Sequence, residues 1–88
     1  MRKEEVFRSI KEIMYEVAPA KIVEEITYES SPIEDFAFDS MDVMDMFIKI
    51  QERYGLYDDN FNDLLTRGKD GFDVRTLDAI CNTFIDRI

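Results

Sequence analysis

Apolar residues recur every three or four positions between residues 3 and 17, and charged residues fill the gaps. This spacing places the apolar residues on one face of a helix. They are Val6, Phe7, Ile10, Ile13, Met14 and Val17. Pro19 follows, and proline cannot continue a helix. We therefore predict a first helix over roughly residues 3–17.

A second helical pattern runs from about Ser40 to Tyr54, and Gly55 provides a typical end signal. One predicted face of this helix carries Val43, Met46, Phe47, Ile50 and Tyr54. A neighbouring stripe carries Met41, Met44 and Ile48. The stripe has two interpretations. It is ordinary core, or it is an adaptable binding surface of the kind in which methionine is favoured.

A third helical pattern closes the chain. Asp73 is a suitable N-cap, and Phe72 before it can pack on Leu77 as a hydrophobic staple. The predicted buried face of this helix comprises Leu77, Ile80, Cys81, Phe84, Ile85 and Ile88. Cys81 lies on that face, so we expect a buried structural thiol.

Two long connections separate the three helices. In residues 18–39, we expect a short helical turn around Ile22, Val23 and Ile26, and a break at Ser30-Ser31-Pro32. Three apolar residues of this connection are expected to hold it to the core: Ile33, Phe36 and Phe38. The acidic stretch 56–72 is predicted to be a loop with a short helix around residues 60–65.

No strand alternation or internal repeat is visible, and 88 residues suffice for one small domain. We predict an all-α fold over residues 1–88. Its expected form is a small antiparallel bundle of three main helices with one or two short ones.

The chain is acidic, with 20 Asp and Glu against 11 Lys and Arg and a formal charge of -9. Such a surface repels nucleic acids and anionic membranes, and it attracts partners with basic patches. A simpler interpretation is that the charge only confers solubility. Because no segment is apolar enough to span a membrane and the N-terminus is amphipathic, we expect a monomeric cytoplasmic protein without membrane insertion.

The absence of histidine and the single cysteine exclude most catalytic and metal sites. This composition rules out histidine-dependent triads, histidine metal ligation, internal disulfides and cysteine-rich zinc sites. Asp58, Asn60 and Asn62 resemble the start of a calcium loop, but Asp63 and Lys69 occupy the positions that need Gly and Glu. We therefore expect neither an enzyme nor a metal protein.

The candidate chemistry lies in Asp39-Ser40-Met41-Asp42, at the start of the second predicted helix. Ser40 can simply be the N-cap of this helix. Alternatively, it can carry a phosphodiester-linked prosthetic group, since a helix start is exposed and its N–H groups and dipole favour phosphate. Without histidine, a partner enzyme must activate the hydroxyl.

The stretch from Glu34 to Asp42 resembles the signature of the acyl carrier protein family. That signature is an acid, a large apolar residue, Gly, any residue and then Asp-Ser-Leu. Here Phe36 takes the apolar place, Asp39 and Ser40 match, and Met41 stands for Leu. The resemblance extends over nearly the whole chain in the order of helices and loops and in acidity.

The resemblance implies 4′-phosphopantetheine attached to Ser40, holding an acyl or aminoacyl group as a thioester. It also implies that Asp39 presents Ser40 to a phosphopantetheinyl transferase. On the second helix, the partner-docking residues it implies are Met41, Asp42, Met44, Asp45 and Ile48. Further implied partners are a loading ligase or acyltransferase and a ketosynthase or other pathway enzyme.

The chain departs from the family pattern in three ways. Ala37 replaces the usual Gly, which bears on the turn geometry before Ser40 but not on the serine itself. Lys49 and Arg53 make the second helix less acidic and the loop after this helix is longer, and these two features point to a dedicated pathway. The Asp-Ser-Met form also occurs among stand-alone aminoacyl carriers that resemble the D-alanyl carrier of cell-wall modification. Fatty-acid, polyketide and amino-acid cargoes all remain open. The alternative to a carrier is an unmodified acidic helical interaction module.

Overall fold

The computed structural model describes residues 2–56 and 76–88. Within these residues the protein is all-helical and contains no strand. The elements are α1 (Lys3–Val17), a 3-10 helix (Pro19–Lys21), α2 (Pro32–Phe36), α3 (Ser40–Tyr54) and α4 (Leu77–Ile85). The helical class and the bounds of the first two predicted helices are confirmed. The predicted short helix at 60–65 and the calcium-like residues lie outside the described residues.

The core forms where α1 packs against α3 and α4. Each of these helices buries one face, and Phe47 of α3 meets Phe84 of α4 edge to face at 5.6 Å between ring centroids. The buried residues of the three helices are Val6, Ile10, Ile13, Met14, Val43, Met46, Phe47, Ile50, Leu77, Ile80, Cys81 and Phe84. Burial of these apolar side chains supplies the main driving force for the fold.

Helices α1 and α3 run antiparallel, as predicted. The Tyr54 hydroxyl at the end of α3 lies 2.8 Å from Ser9 Oγ, near the middle of α1. Lys49, one turn earlier in α3, lies near Glu16 at the end of α1. The starts of α1 and α4 lie close together, because the Lys3 ammonium group donates to the Asp78 carboxylate.

The long connection is packed onto the core and contains α2. Ser31 caps this helix by accepting a hydrogen bond from the Glu34 N–H at 3.1 Å, and Pro32 occupies the first helical position, which suits proline. The predicted break is therefore a helix start. Phe36 and Phe38 are buried as expected, whereas the expectation for Ile33 is wrong, since it is 46% exposed.

The 3-10 helix also lies earlier than the helical turn expected around Ile22, Val23 and Ile26. Val23 is 78% exposed, and Ile26 is the member of that group that reaches the core. An element of three residues is too short to show an amphipathic pattern that would place it.

The start of α4 corrects a second expectation. Thr76 is its N-cap and accepts a hydrogen bond from the Ala79 N–H at 3.2 Å, so the helix does not begin at a cap on Asp73, which lies outside the described residues. Ser30 and Tyr28 of the long connection accept hydrogen bonds from the first two N–H groups of the helix, at 2.9 and 2.8 Å. Ile88, predicted to be buried, follows the end of the helix and is 44% exposed.

Candidate functional site

A tight turn between α2 and α3 brings the chain to Ser40. Ala37 ends α2 in the left-handed region, with φ of 55° and ψ of 34°, and the Phe38 N–H donates to the Pro32 carbonyl at 2.9 Å. Glycine is the residue that adopts this conformation without strain. The turn therefore has the backbone geometry that favours Gly, and Ala37 adopts it at an energetic cost.

Asp39, and not Ser40, is the N-cap of α3. Asp39 Oδ1 accepts a hydrogen bond from the Asp42 N–H at 2.8 Å, and Asp42 Oδ2 accepts one from the Asp39 N–H at 3.2 Å. This reciprocal pair is a capping box. The interpretation of Ser40 as the N-cap is therefore wrong. Ser40 is the first residue of the helix.

The capping box leaves the Ser40 hydroxyl available. The residue is exposed, and its side chain has no hydrogen-bond partner among residues 2–56 and 76–88. The backbone N–H groups of the first helical residues have no acceptor inside the helix. Ser40 thus combines an accessible hydroxyl with the positive end of a 15-residue helix.

Asp42 is tied to the long connection as well as to Asp39. Lys21 Nζ donates to Asp42 Oδ2 at 2.5 Å and to the Ala37 carbonyl at 3.2 Å. The hydrogen bond from Lys21, followed by that from the Asp39 N–H, lowers the pKa of the Asp42 carboxyl. The same contact with Asp42 raises the pKa of Lys21. Asp42 is therefore engaged within the chain, unlike Asp45, which is exposed.

The stripe of Met41, Met44 and Ile48 lies outside the core. These side chains are 71%, 37% and 39% exposed. By contrast, Met46 of the same helix is fully buried. Contiguous exposed apolar side chains are characteristic of contact surfaces. We call these three residues the apolar stripe.

The two basic residues near the end of α3 face α1. Arg53 lies 3.0 Å from Glu12 and 3.8 Å from Glu16, and Lys49 lies 4.0 Å from Glu16. Their positive charge is offset by partners within the protein. Lys49 and Arg53 make α3 less acidic, as noted from the sequence, but their charges lie toward α1 and away from the first turn of α3.

The remaining acidic side chains and Cys81 form no metal centre in the part of the chain that the structure describes. No group of three or more Cys, Asp and Glu side chains is arranged there to hold a metal ion. Burial raises the pKa of the Cys81 thiol to about 11, so it is protonated at neutral pH. Among the described helices, none has the length and apolar character to cross a membrane.

An open depression of about 300 Å³ lies along the connection, away from the apolar stripe. Its lining is polar and acidic: Glu24, Glu25, Thr27, Glu29, Ser30 and Asp35. Such a lining does not suit an acyl chain, which needs apolar surroundings.

Sequence reasoning located Ser40, Asp39 and the apolar stripe but missed Lys21. No periodicity or motif relates Lys21 to Asp42, because the two residues meet only when the connection folds against α3. The cap at Asp39 had a usable signal. Counting three residues from Asp39 reaches the acid Asp42, whereas counting three from Ser40 reaches Val43.

No protein-family model, curated protein or solved structure matches this chain.

Proposed function

We propose that this protein is a carrier of the acyl carrier type, which holds an acyl or aminoacyl group as a thioester on 4′-phosphopantetheine joined to Ser40. The observation that carries the proposal is that Asp39, and not Ser40, caps the start of α3. Asp39 supplies the cap, so the Ser40 hydroxyl is exposed and free of hydrogen bonds within the described chain.

The residues around Ser40 fit a phosphodiester. The unpaired N–H groups at the start of the helix can donate to phosphate oxygens, and the helix dipole favours negative charge there. The carboxylates of Asp39 and Asp42 oppose an additional negative charge, but Lys21 offsets that of Asp42 at 2.5 Å. The prosthetic group would supply the thiol that this chain cannot provide near Ser40, since Cys81 is buried.

The exposed side chains of α3 fit the docking role that the family resemblance assigns to them. The apolar stripe offers flexible methionine side chains to a partner, and Asp45 offers an exposed negative charge. Asp39 fixes the orientation of the helix start and so presents Ser40. Asp42, also assigned to docking, acts here mainly within the capping box.

The partners in this proposal are a phosphopantetheinyl transferase, a loading ligase or acyltransferase, and a pathway enzyme such as a ketosynthase. The cargo is an acyl or aminoacyl group whose identity depends on the loading enzyme. The protein itself supplies recognition and presentation, and it performs no catalytic step.

The test is the intact mass of the protein after incubation with coenzyme A, magnesium and several promiscuous phosphopantetheinyl transferases. We expect a gain of one phosphopantetheine. Ser40→Ala should abolish the gain. Ser9→Ala is the matched control and should preserve it, because Ser9 lies in α1 and bonds Tyr54.

An absence of modification by every transferase would overturn the carrier proposal. The alternative would then be an unmodified acidic module that binds basic partners through the apolar stripe and Asp45.

A further inference from the structure

The Lys21 side chain reaches both sides of the segment that contains Ser40. It ends the 3-10 helix Pro19–Lys21, and its ammonium group donates to the Ala37 carbonyl at 3.2 Å and to Asp42 Oδ2 at 2.5 Å. One cation therefore links the residue three before Ser40 with the residue two after it. We propose that Lys21 is a positioning residue for the modification of Ser40, a role that rests on the proposed carrier function.

The contact with Asp42 couples Lys21 to the helix cap. The same Asp42 oxygen accepts hydrogen bonds from Lys21 Nζ and from the Asp39 N–H. Fixing this carboxylate therefore fixes the reciprocal bonds that define where α3 begins. The contact with Ala37 acts on the other side, because it holds the strained left-handed residue that precedes the cap. Ser40 lies between these two constraints.

Lys21 also changes the electrostatic surroundings of the Ser40 hydroxyl. Asp39 and Asp42 place two carboxylates beside a group that must approach an anionic phosphate donor. The positive charge of Lys21 offsets the negative charge of Asp42, which lowers the repulsion between this carboxylate and the phosphate donor. The pKa shifts of Lys21 and Asp42, upward and downward, agree with a stable ion pair.

This arrangement predicts a specific kinetic effect. In Lys21→Gln the turn loses a constraint and the phosphate donor meets more negative charge, so kcat for modification of Ser40 should fall about three- to tenfold. KM for the carrier should not rise, because the Asp42 carboxylate released from Lys21 remains able to attract a basic partner. A variant with only a general folding defect would not separate the two constants in this way.

The experiment measures kcat and KM of one phosphopantetheinyl transferase with wild-type protein, Lys21→Gln, Lys21→Arg and Lys49→Gln. Lys21→Arg retains the charge and the donors and should restore most of kcat. Lys49→Gln is the matched control, since Lys49 is a similarly exposed lysine paired with a carboxylate far from the cap. It should behave as the wild type.

Amide hydrogen exchange gives a second readout that needs no transferase. The Asp39 N–H, which donates to the Asp42 oxygen shared with Lys21, should exchange faster in Lys21→Gln and at the wild-type rate in Lys49→Gln. A modified wild type with unchanged kcat in Lys21→Gln would overturn the role of Lys21 and leave the carrier function intact. A wild type that no transferase modifies would overturn both.

Discussion

The two halves of α3 use charge in different ways. In the second half, Lys49 and Arg53 pair with Glu12 and Glu16 of α1, so charge is used to join two helices. In the first half, Met41, Met44 and Asp45 are exposed, and the one ion pair, between Asp42 and Lys21, holds the start of the helix to the long connection. The second half of α3 is therefore joined to α1 by ion pairs, whereas the first half exposes apolar side chains.

This difference explains why composition alone is a poor guide to the surface of the helix. Lys49 and Arg53 make the net charge of α3 less negative, yet both pair with carboxylates of α1. The exposed surface around Ser40 keeps its acidic and apolar character.

The buried face of α3 should determine stability throughout its length. Phe47 is 1% exposed and packs on Phe84, so Phe47→Ala should lower the free energy of unfolding by about 3–5 kcal/mol. The neighbouring Ile48→Ala, in the apolar stripe, should cost less than about 1 kcal/mol. Urea denaturation of both variants checks the contrast, and similar losses would contradict the assignment of Ile48 to the surface.

Charge reversal should separate the two halves of α3 in partner recognition. Asp45 and Glu52 are both exposed and lie two turns apart on the same side of the helix. With a transferase that modifies Ser40, Asp45→Lys should reduce kcat/KM by about tenfold at low salt. Glu52→Lys should change it less than about twofold.

Added salt should reduce the difference between these two variants, because surface attraction is screened. Equal slowing by both reversals would show that docking extends along the whole helix.

The turn before Ser40 should tolerate, and favour, glycine. Ala37→Gly relieves a left-handed residue and should raise the free energy of unfolding by about 0.5–1 kcal/mol. The same substitution at Ala79, inside α4, should lower it by about 0.5–1 kcal/mol. Thermal and urea unfolding of the pair provide the measurement. A loss of stability in both variants would be incompatible with strain at Ala37.

The ion pairs at the second half of α3 should contribute little to stability. Arg53 and Glu12 are partly exposed, so Arg53→Gln should lower the free energy of unfolding by less than about 1 kcal/mol. The loss should diminish at high salt. A large loss that salt does not change would indicate that packing of the Arg53 side chain dominates.

A pH titration should reveal the ion pair at the first half. The folded-state pKa of Asp42 lies below its ordinary value of 3.8, so its ionised form stabilises the fold above that value. This contribution disappears as pH falls through the lowered pKa. The stability difference between wild type and Asp42→Asn should therefore be constant near neutral pH and shrink below 3.8.

Lys21→Met removes the main cause of the lowered pKa, so it should weaken this pH dependence. An undiminished dependence in Lys21→Met would assign the effect to the bond from Asp39 instead.

The sequence predicted the long helices well because their signals are local and repeated. The apolar spacing in α1 and α3, together with Pro19 and Gly55, fixes both helices to their observed bounds. Short elements carry too few residues for such a pattern. Helix α2 has five residues, so Ile33 could not be assigned to its exposed side from spacing alone.

The candidate residues at the start of α3 were chosen from the sequence, but their contacts could not be predicted from it. Asp and Ser are both favoured N-cap residues, so residue type alone does not distinguish Asp39 from Ser40. In the structure Asp39 is the cap, and its partner Asp42 also contacts Lys21. That contact joins residues 21 positions apart and depends on how the connection folds back. For the same reason, the start of α4 at Leu77 escaped prediction, since it bonds carbonyl groups in a distant segment.

The bonds that hold the start of α4 have a consequence for how the fold opens. The carbonyl groups of Tyr28 and Ser30 accept hydrogen bonds from the first N–H groups of the helix, so its starting point is specified from across the fold. Local unfolding proceeds in cooperative units. Opening of the long connection should therefore release the first turn of α4 as well, so that two segments far apart in the sequence exchange their amide hydrogens as one unit.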